Sequence, residues 1–301
     1  MQATKPYAIL EAPSSLGLHT HGVERLPAVL LGLGLQRLLG ASHAGRLQPP
    51  RGDNQIDPQT HTLNGQFIAD WSPQLADAVG GVLDGGQFPL ILGGDCTILL
   101  GALLALKRRG RYGLLFIDGH SDFYEARSNG EVDGEGASIE LALVTGRGPA
   151  RLADLEGKGP LVRDEDVVLV GFRDHDEQQS YGGPPPAPDM LVLDLPVLRR
   201  IGIEAVIAAA MERLDRPELD GFFIHFDADC LPDALMPAVD APVPGGGVEP
   251  AEAAMLLREA RQSPKAAGME VTIYNPDRDA DGQAGRLLLD ILVAGLAADA
   301  T

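Results

Sequence analysis

Four short polar clusters interrupt or follow apolar runs of this 301-residue chain. Asp95 and Cys96 follow FPLILGG, and Asp118, His120 and Asp122 follow YGLLFI. Asp227 and Asp229 follow GFFIHF, and Glu270 lies in AAGMEVTIYNP. A hydrophobic core gains nothing from such residues, since a buried carboxylate is costly unless something positive meets it. In extended backbone, residues two apart point to the same side. Asp-x-His-x-Asp and Asp-x-Asp therefore each aim their polar groups at one place. The carboxylates of Asp118, Asp122, Asp227 and Asp229, brought together alone, would repel and take up protons. Two divalent cations would neutralise them. A set rich in carboxylate and poor in imidazole suits a harder ion such as Mn²⁺. Two metals about 3.5–4 Å apart can lower the pKa of a bridging water and turn it into a hydroxide nucleophile. The positive partner these motifs ask for is a metal pair.

The elements that would carry the clusters alternate. Apolar runs at 7–13, 88–95, 112–120, 166–173, 189–195, 221–229 and 266–276 read as strands. Helix-like segments lie at 23–39, 72–84, 97–109, 137–146, 203–214, 249–262 and 285–298, and polar residues 41–67 read as a long surface loop. Continuously apolar strands alternating with helices predict an α/β fold, a mostly parallel sheet with helices on both faces. In such sheets ligands sit at the carboxyl ends of the strands, which is where the polar clusters fall. No repeat or linker divides the chain, so one domain over 1–301 is the simplest organisation.

The chain carries 24 basic and 43 acidic residues, a net charge of −19. That balance argues against nucleic acid, which needs a basic face, and against anionic membrane surfaces. It suits a small cationic ligand. Two cysteines, Cys96 and Cys230, make no disulfide framework and fit a reducing compartment. The N-terminal residues lack the apolar stretch of a signal peptide, and LPAVLLGLGL is too short to span a bilayer. The expected location is cytoplasmic.

GGDCT, DGHSD, DADCLPD and MEVTIYNP resemble, in order and spacing, the four signature regions of the ureohydrolase (arginase–agmatinase) family. EAPSSLGLHTHGVERLPAVLLGLGL is similar to its first strand, loop and helix, and APVPGGG to its Pro-Gly-Gly turn. The resemblance implies a three-layer α/β/α fold, two manganese ions and hydrolysis of a guanidinium or amidine carbon, usually with urea as product. It implies that Asp118 and Asp227 bridge both metals. Asp122 would complete one position, and His120 and Asp229 the other. A hydroxide between the ions would attack the substrate carbon. Glu270 would pair with the guanidinium, as a carboxylate can by taking two parallel N–H bonds. The family also implies a homo-oligomer, trimer or hexamer.

Three positions depart from the family pattern. The metal-binding histidine of its first motif is Cys96 here. Cys96 either ligates a softer ion (zinc, nickel, cobalt or iron), or stays a neutral thiol, or leaves the metal to carboxylates and water. The arginase His-Gly pair has Glu135 of GEGAS as its counterpart. Glu135 reads as a proton shuttle, a contact for a cationic substrate, or a solvated acid. The arginase motif that holds an amino-acid head group is not legible in FYEARSNGEVD, so arginine is not assigned as substrate. His225 shares a face with Asp227 and reads either as an outer partner of the metal site or as a core histidine. Cys230 points away from Asp229 and reads as packing. His19, His21, His43, His61 and His175 read as surface residues. Two further functions stand beside the hydrolase. One is a binding or assembly protein that keeps the fold with a weakened metal site. The other is a deacetylase-like hydrolase with a single metal on Asp118, His120 and Asp227.

Overall fold

Runs such as FPLIL, VVLV and GFFIHFD have no polar face to show to water, so they form strands covered on both sides. A computed structural model of the chain, described for residues 5–124, 134–180 and 183–297, places them in one eight-stranded sheet. The strands are β1 Tyr7–Glu11, β2 Ser42–Arg46, β3 Phe88–Leu92, β4 Tyr112–Ile117, β5 Val167–Val170, β6 Leu191–Leu193, β7 Gly221–Asp227 and β8 Ala266–Thr272. Their order is β2-β1-β3-β8-β7-β4-β5-β6, and every ladder is parallel.

Strand side chains alternate between two apolar layers. On β4, Leu114 and Phe116 pack with helices Gly65–Asp84 and Ile98–Lys107. Leu115 and Ile117 face the layer of helices Ile203–Leu214, Pro250–Gln262 and Gln283–Leu296. The result is the three-layer arrangement expected of alternating strands and helices. Its four central strands, β3, β8, β7 and β4, are the ones whose carboxyl ends carry the polar clusters. None of the described helices is long and apolar enough to cross a membrane.

Three local expectations are corrected. The loop expected over 41–67 contains β2, whose sequence SHAGR has no apolar alternation. As the edge strand it pairs with β1 alone and faces solvent, so pattern does not reveal it. The helix expected over 72–84 starts a full two turns earlier, at Gly65. The helix expected over 23–39 is interrupted, with segments Leu26–Gly32 and Leu35–Leu38 separated at Gly34, whose φ is 95°.

Candidate metal centre

The end of β4 turns sharply, with Asp122 at φ 43°. This loop is anchored from below by Asp174, whose Oδ2 accepts hydrogen bonds from Ser121 N (3.0 Å), Ser121 Oγ (2.9 Å) and the Tyr124 hydroxyl (3.0 Å). Asp118 and Asp227 use one oxygen each to hold their own turns. Asp118 Oδ1 accepts from His120 N at 2.7 Å, and Asp227 Oδ1 from Asp229 N at 2.8 Å. The turns then lock together, since Asp229 Oδ1 accepts from Gly119 N at 2.9 Å and Asp229 Oδ2 lies 2.8 Å from His120 Nδ1. The local backbone therefore occupies one oxygen of each acid; of the second oxygens, that of Asp229 meets His120, that of Asp227 meets Cys96 and Thr272 Oγ1 (3.0 Å), and Asp118 Oδ2 has no hydrogen-bond partner among the described residues.

These side chains converge. Four sets of potential ligand atoms each fall within 4.8 Å: Asp118, His120 and Asp229; Asp118, Asp122 and Glu140; Asp118, His225 and Asp227; and Cys96, Glu140 and His225. Asp118 belongs to three of the four. Among the described residues, several of these buried atoms have no hydrogen-bond partner: Asp118 Oδ2, both Glu140 oxygens, and His225 Nε2. Leaving such atoms unsatisfied is costly, and lone pairs facing one another call for a cation. The donors are mostly oxygen with some imidazole, a set that fits two hard divalent ions such as Mn²⁺.

A cavity of about 220 Å³ opens over this cluster. Its wall includes Leu18, His120, Asp122, Glu135, Asp229 and Ile273. Glu135 is held there by a hydrogen bond from His19 N, 2.7 Å long. Asp95 stays outside the cluster and joins segments instead. It accepts from Ser14 Oγ at 2.6 Å and Thr97 N at 2.9 Å, pinning the loop after β1 to the loop after β3.

Over residues 41–297 the sequence matches the Arginase family. The chain belongs to that family. It is 30% identical to the arginase of Bacillus caldovelox over 255 residues, covering 80% of this chain and 82% of that one. Against the arginase of Staphylococcus aureus (strain COL) it is 26% identical over 304 residues, covering 97% of each. The native structure of the Bacillus caldovelox arginase at pH 5.6 matches its fold with a TM-score of 0.83 at 22% identity, covering 99% of this chain and 100% of that one. Arginase-family hydrolases act on linear amidines.

Within this arginase-family site, two sequence expectations need restating. Glu270, expected to meet the substrate, is fully buried on β8 and is not part of the cavity wall; Ile273 occupies the wall where this strand ends. Glu270 Oε1 lies 2.7 Å from His225 Nδ1, directly across the β7–β8 ladder. The register puts His225 opposite Glu270, and the carboxylate meets that ring. Cys96 keeps a thiol directed at Asp227 Oδ2, 2.9 Å away. Burial, followed by the charge of Asp227, pushes the Cys96 thiol well above its ordinary range. Cys230 is buried in the apolar layer, as expected. Glu140 is not among the residues the motifs point to, although a lone acid inside the apolar run IELALV is a usable signal. Asp174 was missed too, because its role depends on a loop folding over it.

Without metal, protons must serve this site. Burial, then the charges of neighbouring acids, pushes the carboxyls of Asp118, Asp122 and Asp227 well above the usual range. Burial opposes the charge on His120, but Asp229 outweighs it and raises His120 well above its ordinary value. The same pair holds Asp229 at about 2 against the effect of burial. A carboxyl raised in the folded state binds more protons folded than unfolded above the ordinary carboxylate range, so its effect is to lose stability as pH rises from there. A raised histidine stabilises below its unfolded pKa and loses that contribution as pH climbs through the folded one. Both signs agree. Asp229 acts only in strong acid, where its stabilisation is lost as pH falls toward about 2. The chelated protein is therefore expected to melt several degrees lower at about pH 8.5 than at about pH 5.5, and saturating Mn²⁺ to abolish the fall by displacing those protons. Thermal melts across pH with and without metal check this. Parallel slopes in the two series would contradict it.

Proposed function

We propose that this chain is a two-metal hydrolase that cleaves a C–N bond of a small cationic guanidino or amidino compound, with urea as the usual product. The carrying observation is the convergence on Asp118 of buried donor atoms that lack partners, beneath a cavity with an acidic wall. Asp118 and Asp227 would be shared between the ions. His120 and Asp229 would complete one position and Asp122 the other. Bound ions of this kind supply Lewis acidity and a water acidified to near neutrality.

The chain's own groups do the rest. Glu135 presents a carboxylate to the cavity, where a planar cation can give it paired N–H bonds. Glu135, fixed by His19, is placed to pass a proton to the departing amine. Leu18, Ala137 and Ile273 close part of the wall with apolar surface and limit water around the reacting carbon. Glu270 acts here as a positioning residue through His225, not as a contact for substrate. The net charge of −19 favours approach of a cation. Manganese as the native ion, a homo-oligomer (trimer or hexamer) and a cytoplasmic location belong to the same proposal, on the strength of the family.

The relatives named above are arginases, which makes arginine the first compound to test. The stretch expected to carry a head-group motif, 123–133, lies mostly outside the described residues, which stop at Tyr124 and resume at Gly134. The test is a screen of arginine, agmatine and other guanidino and formimino compounds for urea or amine release, with Mn²⁺, Ni²⁺, Zn²⁺ and Co²⁺ in turn. Release from at least one compound is expected with Mn²⁺, lost on chelation and restored on reloading. Two tightly bound ions with no turnover of any compound would sink the hydrolase reading and favour a binding protein.

A further inference from the structure

By the resemblance, the first motif carries a metal-binding histidine at position 96; here it is Cys96, whose Sγ lies within 4.8 Å of potential ligand atoms of Glu140 and His225. The structure supplies another imidazole to the same place from a different strand. His225, on β7, is fully buried, and its ring stacks on Phe116 with centroids 4.4 Å apart and planes 13° apart. Its Nδ1 lies 2.7 Å from Glu270 Oε1. A carboxylate can only accept, so that contact places the ring hydrogen on Nδ1 and leaves the Nε2 lone pair available. Nε2 has no hydrogen-bond partner, and it lies 3.4 Å from Asp118 Oδ2. Carboxylate, histidine and an inward lone pair in sequence form the arrangement that orients metal-ligating histidines.

Glu140 approaches the same point from the opposite side. It is fully buried at the start of helix Glu140–Val144, and neither of its oxygens has a hydrogen-bond partner among the described residues. Its oxygens come within 4.8 Å of ligand atoms of Asp118 and Asp122, and also of Cys96 and His225. Two facing carboxylates, Glu140 and Asp122, cannot bond each other unless one carries a proton or a cation lies between them. Cys96 meanwhile spends its thiol proton on Asp227.

We propose that His225 and Glu140 rebuild the metal position that Cys96 vacates, with Glu270 positioning His225. This rests on the two-metal reading above. The rebuilt position combines Asp118, Asp122, Glu140 and His225, so it selects hard ions over thiophilic ones, and Cys96 is a neutral neighbour.

Equilibrium dialysis against Mn²⁺, with metal counted by atomic emission, tests it. Wild type and Cys96→Ser are expected to retain two ions per chain. His225→Ala is expected to retain one, and Glu140→Gln to bind its second ion at least about 10-fold more weakly. Glu270→Gln is expected to weaken the second ion by about 10–100-fold, the usual cost of losing an outer partner. The double variant Cys96→His/His225→Ala returns the imidazole to the family position and is expected to regain the second ion. Cobalt-loaded wild type serves even where a variant fails to fold: it should show no thiolate-to-cobalt charge-transfer absorption. That absorption, or loss of an ion in Cys96→Ser, or full retention in both His225→Ala and Glu140→Gln, would overturn the assignment while leaving the two-metal reading intact. A wild type that retains no ion under any loading would bring down both.

Discussion

Replacing Asp118 by Asn is expected to remove both ions and reduce turnover by about 10³-fold or more, while making the metal-free protein more stable. The first effect follows from position. Asp118 contributes to three of the four ligand sets, more than any other described side chain. Losing an outer partner of a metal ligand already costs about 10–100-fold, and a shared ligand should exceed that. The second effect follows from burial. Asp118 is 1% exposed, its Oδ2 has no partner, and Asp122 and Asp229 lie close enough to raise its pKa further. An amide of the same shape can keep the bond from His120 N through its carbonyl oxygen. It drops the charge that the metal-free site must otherwise neutralise, a gain of about 1–3 kcal/mol at neutral pH. Melting of the chelated proteins and metal counts on both proteins check the pair of effects. A variant that binds two ions as wild type does would place the shared ligand elsewhere. One that loses metal and is also destabilised when metal-free would mean that Asp118 is a structural anchor first.

The legible part of this protein is the part governed by strand periodicity. Asp118, His120 and Asp122, and Asp227 and Asp229, stand two apart just after apolar runs, but turns and not extended backbone gather them: Asp122 is at φ 43° and Ala228–Cys230 forms a single 3-10 turn. The apolar runs before them mark buried central strands, because a strand covered on both faces has no polar side to show. Their place at one rim of the sheet could be anticipated from the strand ends alone, while the turns that aim them could not. What could not be read depends on register and on neighbours distant in sequence. His225 meets Glu270 only because β7 and β8 pair with those residues opposite each other, and nothing within either strand specifies that match. Ile273, and not Glu270, stands in the cavity wall at the end of β8. Glu140 sits at the first turn of a five-residue helix, too short for a reliable apolar period. β2 escapes because an edge strand facing water needs no apolar pattern.

The Gly-Gly of the first motif carries the second large effect, and it joins fold to site. An added Cβ on Gly94 would sit 1.7 Å from the carbonyl oxygen of Ser14 and 3.0 Å from its nitrogen. Both are backbone atoms, so no side-chain rotation relieves the clash. The contact is close because three segments meet there. Asp95 N donates to Ser14 O at 3.0 Å, Ser14 Oγ to Asp95 at 2.6 Å, and Ile273 N to Gly94 O at 2.8 Å. Gly94→Ala must therefore push the loop after β1 away from the ends of β3 and β8, and with it Leu18 and Ile273 of the cavity wall. The expected loss is about 3 kcal/mol or more, at or beyond the upper end for overpacking because backbone must move. Gly81 is the control. It lies in helix Gly65–Asp84 with nothing within 4 Å of an added Cβ, so Gly81→Ala should gain up to about 1 kcal/mol from helix propensity. Urea unfolding of the two chelated variants measures both. Similar stabilities for the two would mean that the first loop does not dock on β3 as described. The cavity wall would then have to be built from other residues.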